Sequence, residues 1–215
     1  MTGRIALLVA LPTVLTCILS LAVYSGEAEK PTDHAREQFI KDFKRTGLNT
    51  THGDAIFLRI LVEASKAKRG IEVGSATGYG AINMGVAFEK NGGTLVTIDI
   101  DPKMVQASRE NVAKMGLEKT VTCVEGDALK VLSELQGEYD FVFIDARKED
   151  YLKYYKAIES KLKPGALIIA DNVIQSAKAM ADYLEFVSNP EMFDTAIIQA
   201  SPEKKDGMAV SYKKK

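Results

Sequence analysis

Apolar and polar positions along the chain fall into two regimes. Residues 5–24 are almost entirely apolar, broken only by Pro12, Thr13, Thr16 and Ser20. Past Glu29, apolar runs of about five residues alternate with stretches of helical periodicity, the pattern of a parallel sheet with crossover helices. The spacing predicts a helix over 31–45, where Phe39, Ile40 and Phe43 share a face, and a clearer one over 54–66. Strands are expected at 70–73, 94–98, 121–124, 141–144 and 166–170, with helices over 81–90, 102–115, 128–135 and 150–162. Asn91-Gly92-Gly93 and Lys163-Pro164-Gly165 mark turns. The remainder reads as a helix over 177–187, a strand over 195–199, a polar turn and a last strand over 208–212. The expectation is one α/β domain over 29–215.

The apolar leader divides off residues 1–28 as a signal peptide or a single membrane anchor, since about twenty residues just span a bilayer. Arg4 stands on one side of it, and Lys30, Arg36, Lys41, Lys44 and Arg45 on the other. Ser25 and Ala28 offer cleavage points, whereas Val14-Leu15-Thr16-Cys17 is a poor lipoprotein signal.

Acidic residues recur where strands should end. Asp99, Asp145 and Asp171 each close an apolar run, and Asp127 follows one after Glu125-Gly126. Any single one reads best as a helix cap. Four on the edge where an open parallel sheet binds its ligand read better as a site. Beside them lies the loop Glu72-Val73-Gly74-Ser75-Ala76-Thr77-Gly78-Tyr79-Gly80, set between a strand and a helix. Its glycines allow close backbone approach to a ligand. With Asp99 about twenty residues on, suited to ribose hydroxyls, the loop implies an adenosine-containing cofactor.

Two features choose between NAD and S-adenosylmethionine. A short-chain dehydrogenase needs Tyr-x-x-x-Lys, and no tyrosine here has a lysine four residues later. Glu72, two residues before the first glycine, would repel a pyrophosphate but suits a cationic amino group. Composition narrows the partners further. With 28 basic and 29 acidic residues, formal net charge -1, the chain has no global field for a nucleic-acid backbone. An Asn/Asp-Pro-Pro-Tyr segment is also absent. Cys17 and Cys123 fall in dissimilar segments, which argues against a disulfide. With two histidines and no cysteine cluster a structural zinc site is excluded, so any metal is a hard cation on oxygen.

These motifs resemble the cation-dependent O-methyltransferases, the group of catechol and caffeoyl-CoA O-methyltransferases. The resemblance runs from about Asp33 to Lys213. It rests on the Glu-Val-Gly-x-x-x-Gly-Tyr loop, Thr97-Ile98-Asp99-Ile100-Asp101-Pro102, Gly126-Asp127-Ala128, Phe143-Ile144-Asp145-Ala146-Arg147-Lys148 and Ala170-Asp171-Asn172-Val173. It implies a Rossmann-like methyltransferase sandwich: a mostly parallel seven-stranded sheet with an antiparallel C-terminal strand and helices on both faces. It further implies S-adenosylmethionine as cofactor, Mg²⁺ or another divalent cation on Asp145, Asp171 and Asn172, and Lys148 as general base.

By the same resemblance the cofactor would meet His52, Glu72, Gly74, Ser75, Gly78, Tyr79, Gly80, Asp99, Ile100, Asp127, Ala128 and Asp145. Within this set His52 reads almost equally well as a helix-start residue, and Tyr79 as packing over the cofactor or supporting the loop. Leu48 and Arg147 stand where the catechol enzyme has aromatic pocket walls, and the segment after Val173 is short. A small-molecule hydroxyl acceptor is implied, with a vicinal diol as the family's expectation. Relatives of the caffeoyl-CoA type are often dimers, which leaves room for a homodimer. A cofactor made in the cytosol favours an anchored domain facing the cytosol over an exported one. The competing readings are an NAD(P)-dependent reductase and a non-catalytic S-adenosylmethionine-binding membrane protein.

Overall fold

The computed structural model describes residues 30–215. The apolar segment 5–24 and Cys17, on which the leader and anchor readings rest, lie outside them. Among the described residues no helix is long and apolar enough to cross a membrane.

The chain runs α1 (Asp33–Asp42), α2 (His52–Ser65), β1 (Arg69–Val73), α3 (Tyr79–Asn91), β2 (Thr94–Asp99), α4 (Pro102–Lys114), β3 (Val121–Glu125) and α5 (Ala128–Glu134). It continues through β4 (Tyr139–Ile144), a 3₁₀ turn (Lys148–Asp150), α6 (Tyr151–Ile158), a second 3₁₀ turn (Glu159–Lys161), β5 (Leu162–Ala170), α7 (Ala181–Val187), β6 (Phe193–Ile198) and β7 (Met208–Lys213). Helix starts follow the local chemistry. The Thr32 and Thr51 hydroxyls cap α1 and α2, Asp101 caps α4 ahead of Pro102, and Asp127 caps α5.

The described residues build one seven-stranded sheet in the order β3-β2-β1-β4-β5-β7-β6. All pairs through β5 are parallel, while β7 runs antiparallel to both β5 and β6. The expected architecture is therefore the one found. Because the central strands are covered on both faces, they read as continuous apolar runs. Within β4, Val142 and Ile144 pack toward α6 and α7, and Phe141 and Phe143 toward α2 and α3.

Two of the element boundaries that differ from expectation have a visible cause. Lys163-Pro164-Gly165 lies inside β5 instead of forming a turn before it. Leu162 pairs with Tyr139 and Leu167 already with Phe141, so five residues of β5 pass where β4 advances two. Gly165, at φ 86°, takes up the extra length as a bulge. The helix expected over 177–187 begins only at Ala181, because residues 174–180 are spent in hydrogen-bonded turns such as Ser176 N to Asn172 O.

Candidate active site

Parallel strands β1 to β5 present their carboxyl ends on one edge, and the strand order reverses at β1, where β2 lies on one side and β4 on the other. That edge carries a cleft of about 860 Å³. The ladder continues past the strand ends and fixes the loops that wall it. Gly74 N donates to Ile98 O (2.8 Å), Asp145 N to Val73 O (2.8 Å), and Asp171 N to Ile144 O (3.0 Å).

The first wall is the loop from β1 to α3. Gly74 sits at φ +95°, and a Cβ there would strike the Asp145 carbonyl oxygen. Gly78, at φ +87°, turns into α3 so close to Ser108 that a Cβ would lie 2.6 Å from its Oγ. Asp99 braces this loop: its Oδ2 accepts from Ser75 N (3.1 Å) and Ala76 N (2.9 Å), and its Oδ1 from Asp101 N (3.0 Å). Asp127 accepts from Leu129 N (2.8 Å) as the α5 cap and borders the cleft with Ala128. Asp127 thus caps a helix and Asp99 braces a loop without capping one, and both line the pocket.

A second wall gathers the groups suited to chemistry. Lys148 Nζ donates to Asp145 Oδ1 (2.8 Å) and to Tyr151 Oη (2.8 Å). Tyr151 Oη in turn donates to the Asp171 carbonyl (3.2 Å), and its ring packs edge-on against Tyr183. Burial pushes the Tyr151 phenol well above its ordinary pKa, and the Asp145 and Asp171 charges add to this, so it stays protonated. Asn172, at φ 61°, donates through Nδ2 to Asp206 Oδ2 (3.3 Å). Asp171 is buried, and both its carboxylate oxygens contact the Lys204 ammonium. Burial and the Asp145 charge drive the Asp171 pKa upward against the opposing pull of Lys204. For Lys204, burial works to lower the pKa, and the Asp171 and Asp54 carboxylates overcome it.

Of the residues singled out in the sequence, Gly74, Asp99, Ile100, Asp127, Ala128, Asp145, Lys148, Asp171 and Asn172 line this one cleft, with Leu48 and Arg147 at its mouth. The structure sets His52, Glu72, Ser75, Gly78, Tyr79 and Gly80 outside the lining. Tyr79 is buried; its ring packs at a tilt against Phe43, centroids 4.9 Å apart, and its Oη meets His52 Nδ1 at 2.8 Å, tying α2 to α3. Ser75 acts through its backbone. Glu72 lies behind the loop, hydrogen-bonded to Thr97 Oγ1 at 2.5 Å, with its other oxygen toward the Cα of Gly80. Burial pushes its pKa up to about 8.

No sign in the sequence marks Lys204, Asn49 or Thr50; Asp54, which the resemblance groups with His52 and Gly53 in a cofactor segment, instead pairs with Lys204. Asn49 and Thr50 line the cleft, and the buried Asn49 Nδ2 and Thr50 Oγ1 have no hydrogen-bond partner. Such atoms are uncommon in folded proteins and fit a polar ligand. Among the described residues no three His, Cys, Asp or Glu side chains gather for a metal. The candidate donors are two carboxylates and an amide, all oxygen, which fits a hard divalent ion and no softer one.

A family model described as O-methyltransferase matches residues 24–192. A catechol O-methyltransferase of Niastella koreensis is 37% identical over 128 residues, covering 58% of this chain and 58% of its own length. Caffeoyl-CoA O-methyltransferase 2 of Petunia hybrida is 31% identical over 170 residues, 76% of this chain and 69% of its own. The chain thus spans little more than half of the first relative's length. Among solved structures, a Klebsiella pneumoniae protein assigned as an O-methyltransferase superposes with a TM-score of 0.75 at 26% identity, covering 86% of this chain and 92% of its own.

Proposed function

This chain belongs to the O-methyltransferase family, and on that premise we propose that it moves the methyl group of S-adenosylmethionine to a hydroxyl of a small catechol-like vicinal diol. The observation that carries the reading is the convergence of Lys148, Asp145, Asp171 and Asn172 beside a pocket otherwise walled by Asp99 and the glycine loop.

The cofactor half follows from unused hydrogen-bonding capacity. Asp99 keeps lone pairs beyond its three backbone bonds, suited to ribose hydroxyls. Thr50 Oγ1 and Asn49 Nδ2 offer a hydroxyl and an amide with no protein partner. Both suit the polar methionine end of the cofactor.

The acceptor half follows from the second wall. Asp145, Asp171 and Asn172 would hold Mg²⁺, which when bound acts as Lewis acid and template for two vicinal oxygens. Lys148, held between Asp145 and Tyr151, takes the proton of the reacting hydroxyl as the carbon–sulfur bond breaks and the carbon–oxygen bond forms. Holding the oxygen in line with the methyl carbon supplies much of the acceleration. Exposed Leu48 and Arg147 leave the mouth open, so the acceptor can extend beyond a single ring.

The test is conversion of catechol to its monomethyl ether by the full-length chain with S-adenosylmethionine, followed by mass spectrometry. Wild type is expected to turn over with Mg²⁺ and to stop with EDTA. Lys148→Ala is expected to lose about 10²-fold or more in rate while still binding S-adenosylmethionine. Undiminished turnover in EDTA would overturn the metal assignment. Full activity of Lys148→Ala would overturn the base, and a failure of wild type to bind the cofactor would overturn the reading itself.

A further inference from the structure

Lys204 belongs to the turn between β6 and β7, and the surrounding contacts hold that turn firmly. At one end Ser201 Oγ accepts from Asp54 N (3.0 Å), and Gly53 is so close that a Cβ there would lie 2.6 Å from the Ala200 oxygen. At the other end Asp206 accepts from Ile174 N (2.9 Å), Gln175 N (3.1 Å) and Gly207 N (2.9 Å). Between them Gln175 Nε2 donates to the carbonyls of Lys204 (3.1 Å) and Lys205 (3.2 Å). The Lys204 side chain, only 13% exposed, is thereby aimed inward. Its ammonium donates to Asp54 Oδ2 (2.9 Å) and contacts both Asp171 oxygens.

A divalent ion on Asp171 needs a carboxylate oxygen that this ammonium already holds. Two cations cannot share one buried carboxylate at contact distance without strong repulsion. The second anchor matters here, because Asp54 gives the ammonium a partner to retain when Asp171 is taken. Resting on the reading of Asp145, Asp171 and Asn172 as ligands, we propose that Lys204 is an internal competitor for the cation site: it neutralises Asp171 in the ion-free protein, and a divalent ion binds by displacing it toward Asp54. Divalent affinity is therefore set lower than the donor set alone would give, by the fraction of molecules with Asp171 released.

The test is Mn²⁺ binding by the full-length chain, read from the loss of the free-ion electron paramagnetic resonance signal, with no acceptor present. Lys204→Met keeps the length and apolar stem of lysine and removes its charge; it is expected to bind Mn²⁺ about tenfold or more tighter than wild type. A second measurement needs no variant. The rate at which an amine-reactive reagent labels Lys204, relative to the other lysines of the same digest, should rise when Mn²⁺ is added to wild type. Equal Mn²⁺ affinity in the two proteins, or Lys204 labelling indifferent to the ion, would overturn the competition and leave the ligand assignment standing. Absence of Mn²⁺ binding in both proteins at millimolar concentration would overturn the ligand assignment, and the competition with it.

Discussion

Glu72 is a carboxyl group 1% exposed, sealed beneath the glycine loop with the Thr97 hydroxyl as its hydrogen-bond partner. Desolvation raises its pKa from the usual carboxylate range to about 8, and nearby Asp145 and Asp99 push the same way. The folded chain therefore holds this proton more tightly than the unfolded one. Between about pH 4.5 and 8 the native state carries a proton that the unfolded state has lost, so stability falls as pH rises through that window. The loss by pH 8 is on the order of a few kcal/mol. Glu72→Gln, uncharged at every pH, should flatten the fall and gain on wild type from pH 5 to pH 8 in urea midpoints of the ligand-free chain. Parallel curves for the two proteins would exclude Glu72 as the source. At this scale the sequence was legible in kind and not in depth. Strand-end acids were readable because strands of a parallel sheet deliver the residues after them to one edge. That Glu72 points behind the loop while Asp99 braces it depends on side-chain direction at neighbouring positions, which strand periodicity leaves open.

Helix α1 shows how an element far from the chemistry shapes the cleft. Its apolar face is modest, with Ile40 buried and Phe39 and Phe43 half-buried, so polar ties supplement it. Arg36 is buried and donates to Glu89 Oε2 on α3 (2.6 Å) and to Gly116 O after α4 (3.2 Å). The chain leaving α1 becomes the near wall of the cleft at residues 47–51. Arg36→Met removes a buried charge and leaves Glu89 to Lys30 at 2.8 Å. The expected cost is about 1–3 kcal/mol, below that of an orphaned buried ion because Glu89 keeps one partner. Amide hydrogen exchange over 33–51 should quicken more than exchange in β4; a uniform increase would show that Arg36 supports the whole fold and not this element. The periodicity of Phe39, Ile40 and Phe43 predicts the helix itself, but nothing in sequence spacing couples Arg36 to Glu89, 53 residues away. The bulge in β5 was hidden for a related reason. Pro164-Gly165 is turn chemistry, and only the pairing of Leu162 with Tyr139 draws it into the strand.

Across the whole molecule, the sheet order decides which segments meet. Strand β6 runs with the parallel set because β7 reverses against both its neighbours, so the turn after β6 arrives at the same edge as Asp145 and Asp171. Lys204 reaches the site only through the order of the last two strands, which alternating apolar runs do not encode. The cleft consequently touches the segment before α2, the loops after β1, β2, β3, β4 and β5, and the β6–β7 turn. A ligand that fills it clamps segments from both halves of the sheet. Binding to the native state alone stabilises by RT ln(1 + [L]/Kd), about 2.7 kcal/mol at a hundredfold excess over Kd. At about 2–4 °C per kcal/mol for a chain of this size, saturating S-adenosylmethionine should raise Tm by roughly 5–10 °C. NAD⁺ at the same concentration should leave Tm within about 1 °C, since the Asp145 and Asp127 carboxylates lining the cleft would repel the two negative charges of a pyrophosphate. A shift with NAD⁺ matching that with S-adenosylmethionine would mean that the acidic edge does not discriminate, and the preference for S-adenosylmethionine would fall with it; Glu72, buried behind the loop, takes no part in that discrimination.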